Sequence, residues 1–148
     1  MKGRGLMSEI AGGKPVGRVL FICVHNAGRS QMAEAAFNAF APEGMSAISA
    51  GTEPAREMNP VVIQAMEEMG ISMEGRKPKL LTLEMSDECE KSITMGCGVK
   101  ETCPLYVGVR IDDDWGLDDP AGRPIEEVRL IREEIIKRVK KLIGELSR

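Results

Sequence analysis

Apolar and polar positions along the 148-residue chain fall into two periods that alternate from segment to segment. Val19-Leu20-Phe21-Ile22 is a short apolar run after Arg18, and it breaks off at the small and polar residues Cys23-Val24-His25-Asn26-Ala27-Gly28-Arg29-Ser30. A run of that length ending in a turn predicts a strand buried on both faces. Met32, Ala33, Ala36, Phe37 and Phe40 then recur at helical spacing, with Pro42 marking the exit. Met45 to Gly51 reads as a second strand. Asn59-Pro60 pairs an N-cap type with proline at the first helical position, and Val62, Met66 and Met69 predict one apolar face of a helix that Gly70 ends.

A short helix is expected from Leu81 to Asp87, a third strand over Ser92 to Gly96 and a fourth over Tyr106 to Val109. Ile125, Val128, Ile131, Ile135, Val139, Leu142 and Leu146 follow in steps of three and four, which predicts a long amphipathic helix. Its wet face is read as Glu126, Glu127, Arg132, Glu133 and Lys137. Strands alternating with helices predict one α/β domain over residues 16–148, a four-stranded parallel sheet flanked by helices on both faces. In such sheets ligands bind beyond the carboxyl ends of the strands, where Cys23, Cys97 and the acidic run before Asp119 would share a rim.

Composition narrows the partners. A net charge of −3, a pI near 5.3 and 3% aromatic residues give no reason to expect nucleic acid. The first fifteen residues, with four glycines and a proline, read as a flexible leader in which Met7 is a second candidate start. They hold no apolar signal core, and no stretch has transmembrane length, so the expected location is the cytoplasm and no membrane partner is expected. Four cysteines, Cys23, Cys89, Cys97 and Cys103, are then reactive or buried thiols rather than structural disulfides.

The loop from Val24 to Ser30 carries the first chemistry. Small residues between a strand and a helix let successive N–H groups point inward, and the helix N-terminus adds partial positive charge. Asn26 tolerates the left-handed backbone that such a turn needs. Arg29 offers a planar fork to two oxygens of a tetrahedral anion. The same donors, with the Ser30 hydroxyl, stabilise a thiolate on Cys23, the nucleophilic form of a cysteine. A structural cysteine beside a surface arginine is the plain alternative.

Val19 to Cys23 and Arg29-Ser30-Gln31-Met32-Ala33-Glu34-Ala35 resemble the active-site segment of the low-molecular-weight protein tyrosine phosphatase superfamily, and especially that of its thioredoxin-coupled arsenate reductases. Trp115-Gly116-Leu117-Asp118-Asp119-Pro120 resembles a second segment, in which the aspartate before proline is the general acid, here Asp119. A carboxylic acid beside the bound anion protonates a departing oxygen; a solvated acidic turn is the other reading of the same residues. After Pro120 the chain has Ala121-Gly122-Arg123, where the superfamily's phosphotyrosine phosphatases usually carry aromatic residues.

Thr94-Met95-Gly96-Cys97-Gly98 through Cys103-Pro104 is the third similar segment. The resemblance implies Cys23 as first thiol, Cys97 as second and Cys103 as third, ending in a Cys97–Cys103 disulfide that thioredoxin reduces. The family pattern places six residues between the last two thiols and this chain places five. A helical segment would hold the two Cα atoms about 9 Å apart, and a disulfide needs less than about 7 Å. Oxidation is therefore expected to reshape residues 97–105, eased by Gly96 and Gly98.

A zinc site finds little support, because there is no close cysteine pair and the only histidine, His25, lies within the anion loop. No metal or organic cofactor is expected. Cys89 matches none of these segments and reads as a bystander. Lys77-Pro78-Lys79 resembles a family segment whose plain alternative is a solvated basic loop. The resemblance implies an arsenate reductase, with a phosphatase for phosphotyrosine or small phosphate esters and a non-enzymatic oxyanion-binding thiol switch as the alternatives. Arsenate, with phosphate as competing anion, and a small reductant are the expected partners.

Overall fold

The computed structural model describes residues 17–96 and 108–147. The leader expected over residues 1–15, Cys97, Cys103 and the first half of the fourth expected strand lie outside the described residues. The elements in chain order are β1 (Arg18–Cys23), α1 (Arg29–Phe40), β2 (Ser46–Gly51), α2 (Pro60–Glu67), α3 (Leu83–Asp87), β3 (Lys91–Thr94), β4 (Asp113–Asp114) and α4 (Ile125–Leu146). Among the described residues no helix is long and apolar enough to cross a membrane.

All four strands run parallel in the order β2-β1-β3-β4. β1 is central, and its side chains alternate between the two faces as a pleated strand requires. Val19, Phe21 and Cys23 point into the larger core with α1, α2 and α4, including Met32, Phe37, Val62, Met66, Val128 and Ile135. Leu20 and Ile22 point the other way, into a smaller cluster with Ala50 and Cys89, covered by Leu81, Met85, Val109 and Ile111. Cys89 is thus a buried apolar side chain on the face opposite Cys23. Phe21 binds the larger core together, with ring centroids 6.2 Å from Phe37 and 5.3 Å from Trp115.

Local signals account for the helix ends. Asn59 caps α2, its side chain accepting from Val61 N–H at 2.9 Å, with Pro60 following. Thr82 caps α3 in the same way through Met85 N–H, so that helix starts at Leu83 rather than Leu81.

Four expectations need correction. The fourth strand is the two-residue β4 at Asp113–Asp114; Gly108 and Val109 form no strand. Met69 lies beyond the end of α2 and is exposed. Phe40 is also largely exposed, with the Lys140 ammonium 4.7 Å above its ring. Arg132 is not on the wet face of α4: its guanidinium is buried, donating to Ala65 O at 2.8 Å and to Glu68 at 2.7 Å, which ties α4 to the end of α2.

Beyond β4 the chain keeps its pairing with the extension of β3. Trp115 N–H donates to Thr94 O and Leu117 N–H to Met95 O, both at 2.9 Å. Gly96 faces this segment in a left-handed conformation (φ +94°), and a Cβ there would stand 2.3 Å from Leu117 N. The backbones of the two segments touch, and this brings Asp119 to the carboxyl end of the sheet.

Candidate functional site

A cleft of about 210 Å³ opens at that end, lined by Cys23, His25, Gly28, Arg29, Asp119 and Pro120, with Ala55, Glu57 and Asn59 on its far wall. The anion loop is shaped by the chain that follows β2. Carbonyls of Val24, His25 and Ala27 accept from N–H groups of Glu53, Ala55 and Asn59 at 2.8, 2.9 and 3.1 Å. A trans peptide points its N–H opposite to its C=O, and no peptide here is cis. The N–H groups of His25, Asn26 and Gly28 are therefore turned away from the 53–59 segment. For Asn26 the target is visible: its N–H donates to Cys23 Sγ at 3.2 Å. The turn uses Asn26 at φ +53°, the left-handed conformation its residue type favours.

Cys23 Sγ also lies 2.8 Å from Ser30 Oγ. The direction of that bond follows from its neighbours. Asn26 Oδ1 accepts from Lys79 N–H at 2.8 Å and from Gln31 Nε2 at 2.9 Å, which fixes the amide orientation. Asn26 Nδ2 then donates to Ser30 Oγ at 2.7 Å and to Ser49 Oγ at 3.1 Å. Ser30 receives one proton from the amide, so its own hydroxyl proton is free to go to sulfur. Ser49 likewise passes its proton to Glu34 Oε1 at 2.6 Å. Asn26, Ser30, Gln31 and Ser49 are all fully or almost fully buried, and each of these polar side chains has partners. Cys23 Sγ is thus buried and meets two donors, the Ser30 hydroxyl and the Asn26 N–H.

Arg29, the first residue of α1, is 6% exposed. Its Nη1 donates to Leu117 O at 2.9 Å, with Met95 O at 3.5 Å, so the ends of β3 and of the 115–117 segment hold it. Its Nη2 faces Asp119 Oδ2 at 3.8 Å. Asp119 is itself held: Oδ1 accepts from Ala121 N–H at 3.0 Å, and its carbonyl accepts from Arg123 Nε at 2.7 Å. Pro120 closes over Gly28, where a Cβ would stand 2.8 Å from Pro120 Cγ. The other aspartates of the acidic run serve the fold, with Asp112 accepting from Ser92 N–H and Asp114 from Thr94 Oγ1, both at 2.8 Å.

The structure thus gathers Cys23, the loop from Val24 to Ser30, and Asp119 at one site. Cys97 and Cys103 lie outside the described residues. His25 is exposed at the rim and pairs Nδ1 with Glu53 O at 3.1 Å, which fits a loop-shaping role. Sequence reading passed over Glu34, Ser49 and Arg76, which join the site only through long-range bonds. It also passed over Ala55 and Glu57, for which the sequence held no signal, and read Asn59 only as the cap of α2. Lys77 and Lys79 are more than a solvated loop, since their backbone bonds Gln31 and Asn26. Among the described residues, no group of three or more His, Cys, Asp or Glu is placed to hold a metal ion.

Comparison with known proteins agrees with this geometry. Residues 18–148 match the family model described as low molecular weight phosphotyrosine protein phosphatase. The chain is 36% identical over 136 residues to a putative arsenate reductase of Halobacterium salinarum, covering 86% of this chain and 91% of that one. It is 34% identical over 131 residues to the glutaredoxin arsenate reductase of Synechocystis, covering 88% and 98%. Among solved structures, an arsenate reductase in a phosphate-binding state superposes with a TM-score of 0.77 at 34% identity, over 88% of this chain and 98% of that one. The thioredoxin-dependent arsenate reductase of Corynebacterium glutamicum gives 0.73 at 38% identity, over 95% and 66%. With the thiol, the anion loop and the aspartate all placed at one end of this sheet, the chain belongs to the low molecular weight phosphotyrosine protein phosphatase family.

Proposed function

We propose that this chain reduces arsenate to arsenite through a relay of three thiols, Cys23, Cys97 and Cys103. The observation that carries the reading is Cys23 Sγ, hydrogen-bonded by Ser30 and Asn26 N–H in a cleft it shares with Arg29 and Asp119. Arsenate sits on the loop N–H groups with two oxygens on the Arg29 fork. The Cys23 thiolate attacks arsenic, an S–As bond forms, and Asp119 protonates the departing oxygen, which leaves as water.

Two electrons are still required. The Cys97 thiolate attacks the Cys23 sulfur; an S–S bond forms, the S–As bond breaks, and its electron pair stays on arsenic, which leaves as arsenite. Cys103 then attacks Cys97, frees Cys23 and leaves a Cys97–Cys103 disulfide. A small dithiol protein reduces that disulfide, and we take thioredoxin as the reductant, in line with the thioredoxin-dependent relative. The Synechocystis relative is named for glutaredoxin, so a glutathione-linked reductant is the alternative. We assign the reaction to the cytoplasm, where thiols stay reduced. The curated relatives quoted above support reduction over phosphoryl transfer, and so does Ala121 on the cleft wall, which offers an aryl substrate a methyl group rather than a ring.

Phosphate-ester hydrolysis is the second reading, because Cys23, Arg29 and Asp119 are all it needs. One assay separates the two: arsenite formed with thioredoxin, its reductase and NADPH. Reduction that stops in Cys97→Ser supports the relay. Ester hydrolysis unaffected by Cys97→Ser, with no arsenite from the intact chain, would overturn it.

A further inference from the structure

Asp119 sits on a tight turn, and its restraints are of two kinds. Within the turn, Ala121 N–H aims the carboxyl through Oδ1, and Arg123 N–H closes on Pro120 O at 3.1 Å. Gly122, third in that turn, takes the left-handed conformation (φ +74°) that glycine adopts freely. Outward from the turn, the Arg123 guanidinium donates through Nε to Asp119 O at 2.7 Å and through Nη1 to Glu127 Oε1 at 3.1 Å. Glu127 lies in the first turn of α4, a helix of 22 residues packed on α1 and α2. Among the described residues, the Arg123 side chain is the hydrogen-bonded link between this turn and α4.

We infer that Arg123 is a positioning residue for Asp119: by bridging the Asp119 carbonyl to Glu127 it fixes the turn on α4 and keeps the carboxyl at the cleft. This rests on Asp119 as the acid of the proposed function, but on no particular oxyanion. The other contacts of the turn do not replace the bridge. Ala121 N–H moves with the turn it belongs to. The Pro120 ring against Gly28 stops the turn from moving inward but not from swinging out, and the Arg29 contact at 3.8 Å is too long for a hydrogen bond. Arg123 and Glu127 are 40% and 49% exposed, so their pair adds little to stability and its loss is read in turnover.

The alternative is a cation that serves only by drawing anions in, and one substitution gives the two roles opposite signs. Glu127→Ala leaves the Arg123 charge without its carboxylate; attraction alone would then speed turnover at low substrate. Through the bridge it frees the turn from α4, which slows turnover. The experiment is a double-variant cycle of Arg123→Met and Asp119→Asn, with Glu127→Ala beside it and melting temperatures as the check on folding. Turnover is measured with arsenate under thioredoxin, its reductase and NADPH, and with phenyl phosphate without them, because the departing oxygen needs a proton in both reactions.

Arg123→Met keeps the apolar stem and removes the donors. It should lower kcat about tenfold, part of the roughly 10²–10⁴ that a general acid contributes, with melting nearly unchanged. In the Asp119→Asn background the same change should cost less than about twofold, since it acts through an acid that is no longer there. Glu127→Ala should slow turnover as well. An unchanged rate in Arg123→Met, an equal loss in both backgrounds, or a Glu127→Ala variant no slower than the intact chain overturns the inference. Phenyl phosphate hydrolysis without any arsenite would contradict the arsenate reading and leave the cycle just as decisive. A chain that turns over neither substrate has no acid step for Arg123 to serve, and that result overturns the inference too.

Discussion

Arg29 Nη2 stands 3.8 Å from Asp119 Oδ2, while Nη1 of the same guanidinium is fixed on the Leu117 carbonyl at 2.9 Å. The cation proposed to grip the anion thus also faces the carboxylate proposed to protonate it. The two side chains pair with one another, and an arsenate bound as proposed would have to share Arg29 with Asp119. Binding and turnover are therefore coupled with opposite signs at this pair.

Asp119→Asn should bring the sign out. Loss of the proton donor is expected to lower kcat by about 10²–10⁴. Loss of the competing negative charge should tighten inorganic phosphate as an inhibitor. Steady-state rates and phosphate inhibition constants check both. A variant that lost anion affinity together with turnover would contradict the assignment.

Arg29→Lys keeps the charge and removes the fork. Only one of the tethers to Leu117 O and the bidentate grip can then be kept. The expected loss is about 10²–10³ in kcat/KM. A fall of less than tenfold would mean that Arg29 acts only as a charge.

Gly96 and Gly28 carry the two close approaches that bring Asp119 to the thiol, and they should fail differently. At Gly96 the added methyl meets the backbone at 116–117 in a left-handed conformation, and Gly96→Ala should cost at least about 2 kcal/mol. The melting temperature should drop by roughly 5 °C or more. At Gly28 the close contact is with the Pro120 ring, 2.8 Å away, and Val62 stands at an ordinary 3.8 Å, so Gly28→Ala should cost less in melting than Gly96→Ala and lower activity by displacing Asp119. Calorimetry and turnover together separate these outcomes.

Glu68 gives a pH dependence of stability apart from the site. Hydrogen bonds from Arg129 and Arg132 hold its carboxyl at about 2, against an ordinary 4.5. A carboxyl depressed on folding stabilises the native state above the unfolded value, and that contribution is lost as pH falls from about 4.5 through about 2. Glu68 is partly exposed, so salt screens the effect. Urea midpoints of the wild type should fall more steeply between pH 5 and 3 than those of Glu68→Gln. Parallel curves would contradict this.

The site was legible where its chemistry is local. The strand before Cys23, the Asn59 cap, the left-handed Asn26 and the Ser30 hydroxyl each follow from neighbouring residues. What stayed hidden depends on distant partners. β4 is two aspartates on a sheet edge, with no apolar alternation to mark it, and Val109 drew the strand assignment instead because its side chain covers the second core. Arg132 read as solvated because its partners, Ala65 O and Glu68, lie on another helix. Glu34 sits one turn after Ser30 on α1, but nothing in the sequence ties it to Ser49 or Arg76.

A single turnover decides whether the three thiols reduce arsenate: reduced protein with one equivalent of arsenate, no reductant and no oxygen, thiols counted and disulfides mapped by peptide mass. Two thiols lost per arsenite formed and a Cys97–Cys103 bond are the expected result. No arsenite, with the thiols of Cys23, Cys97 and Cys103 all intact, would contradict it.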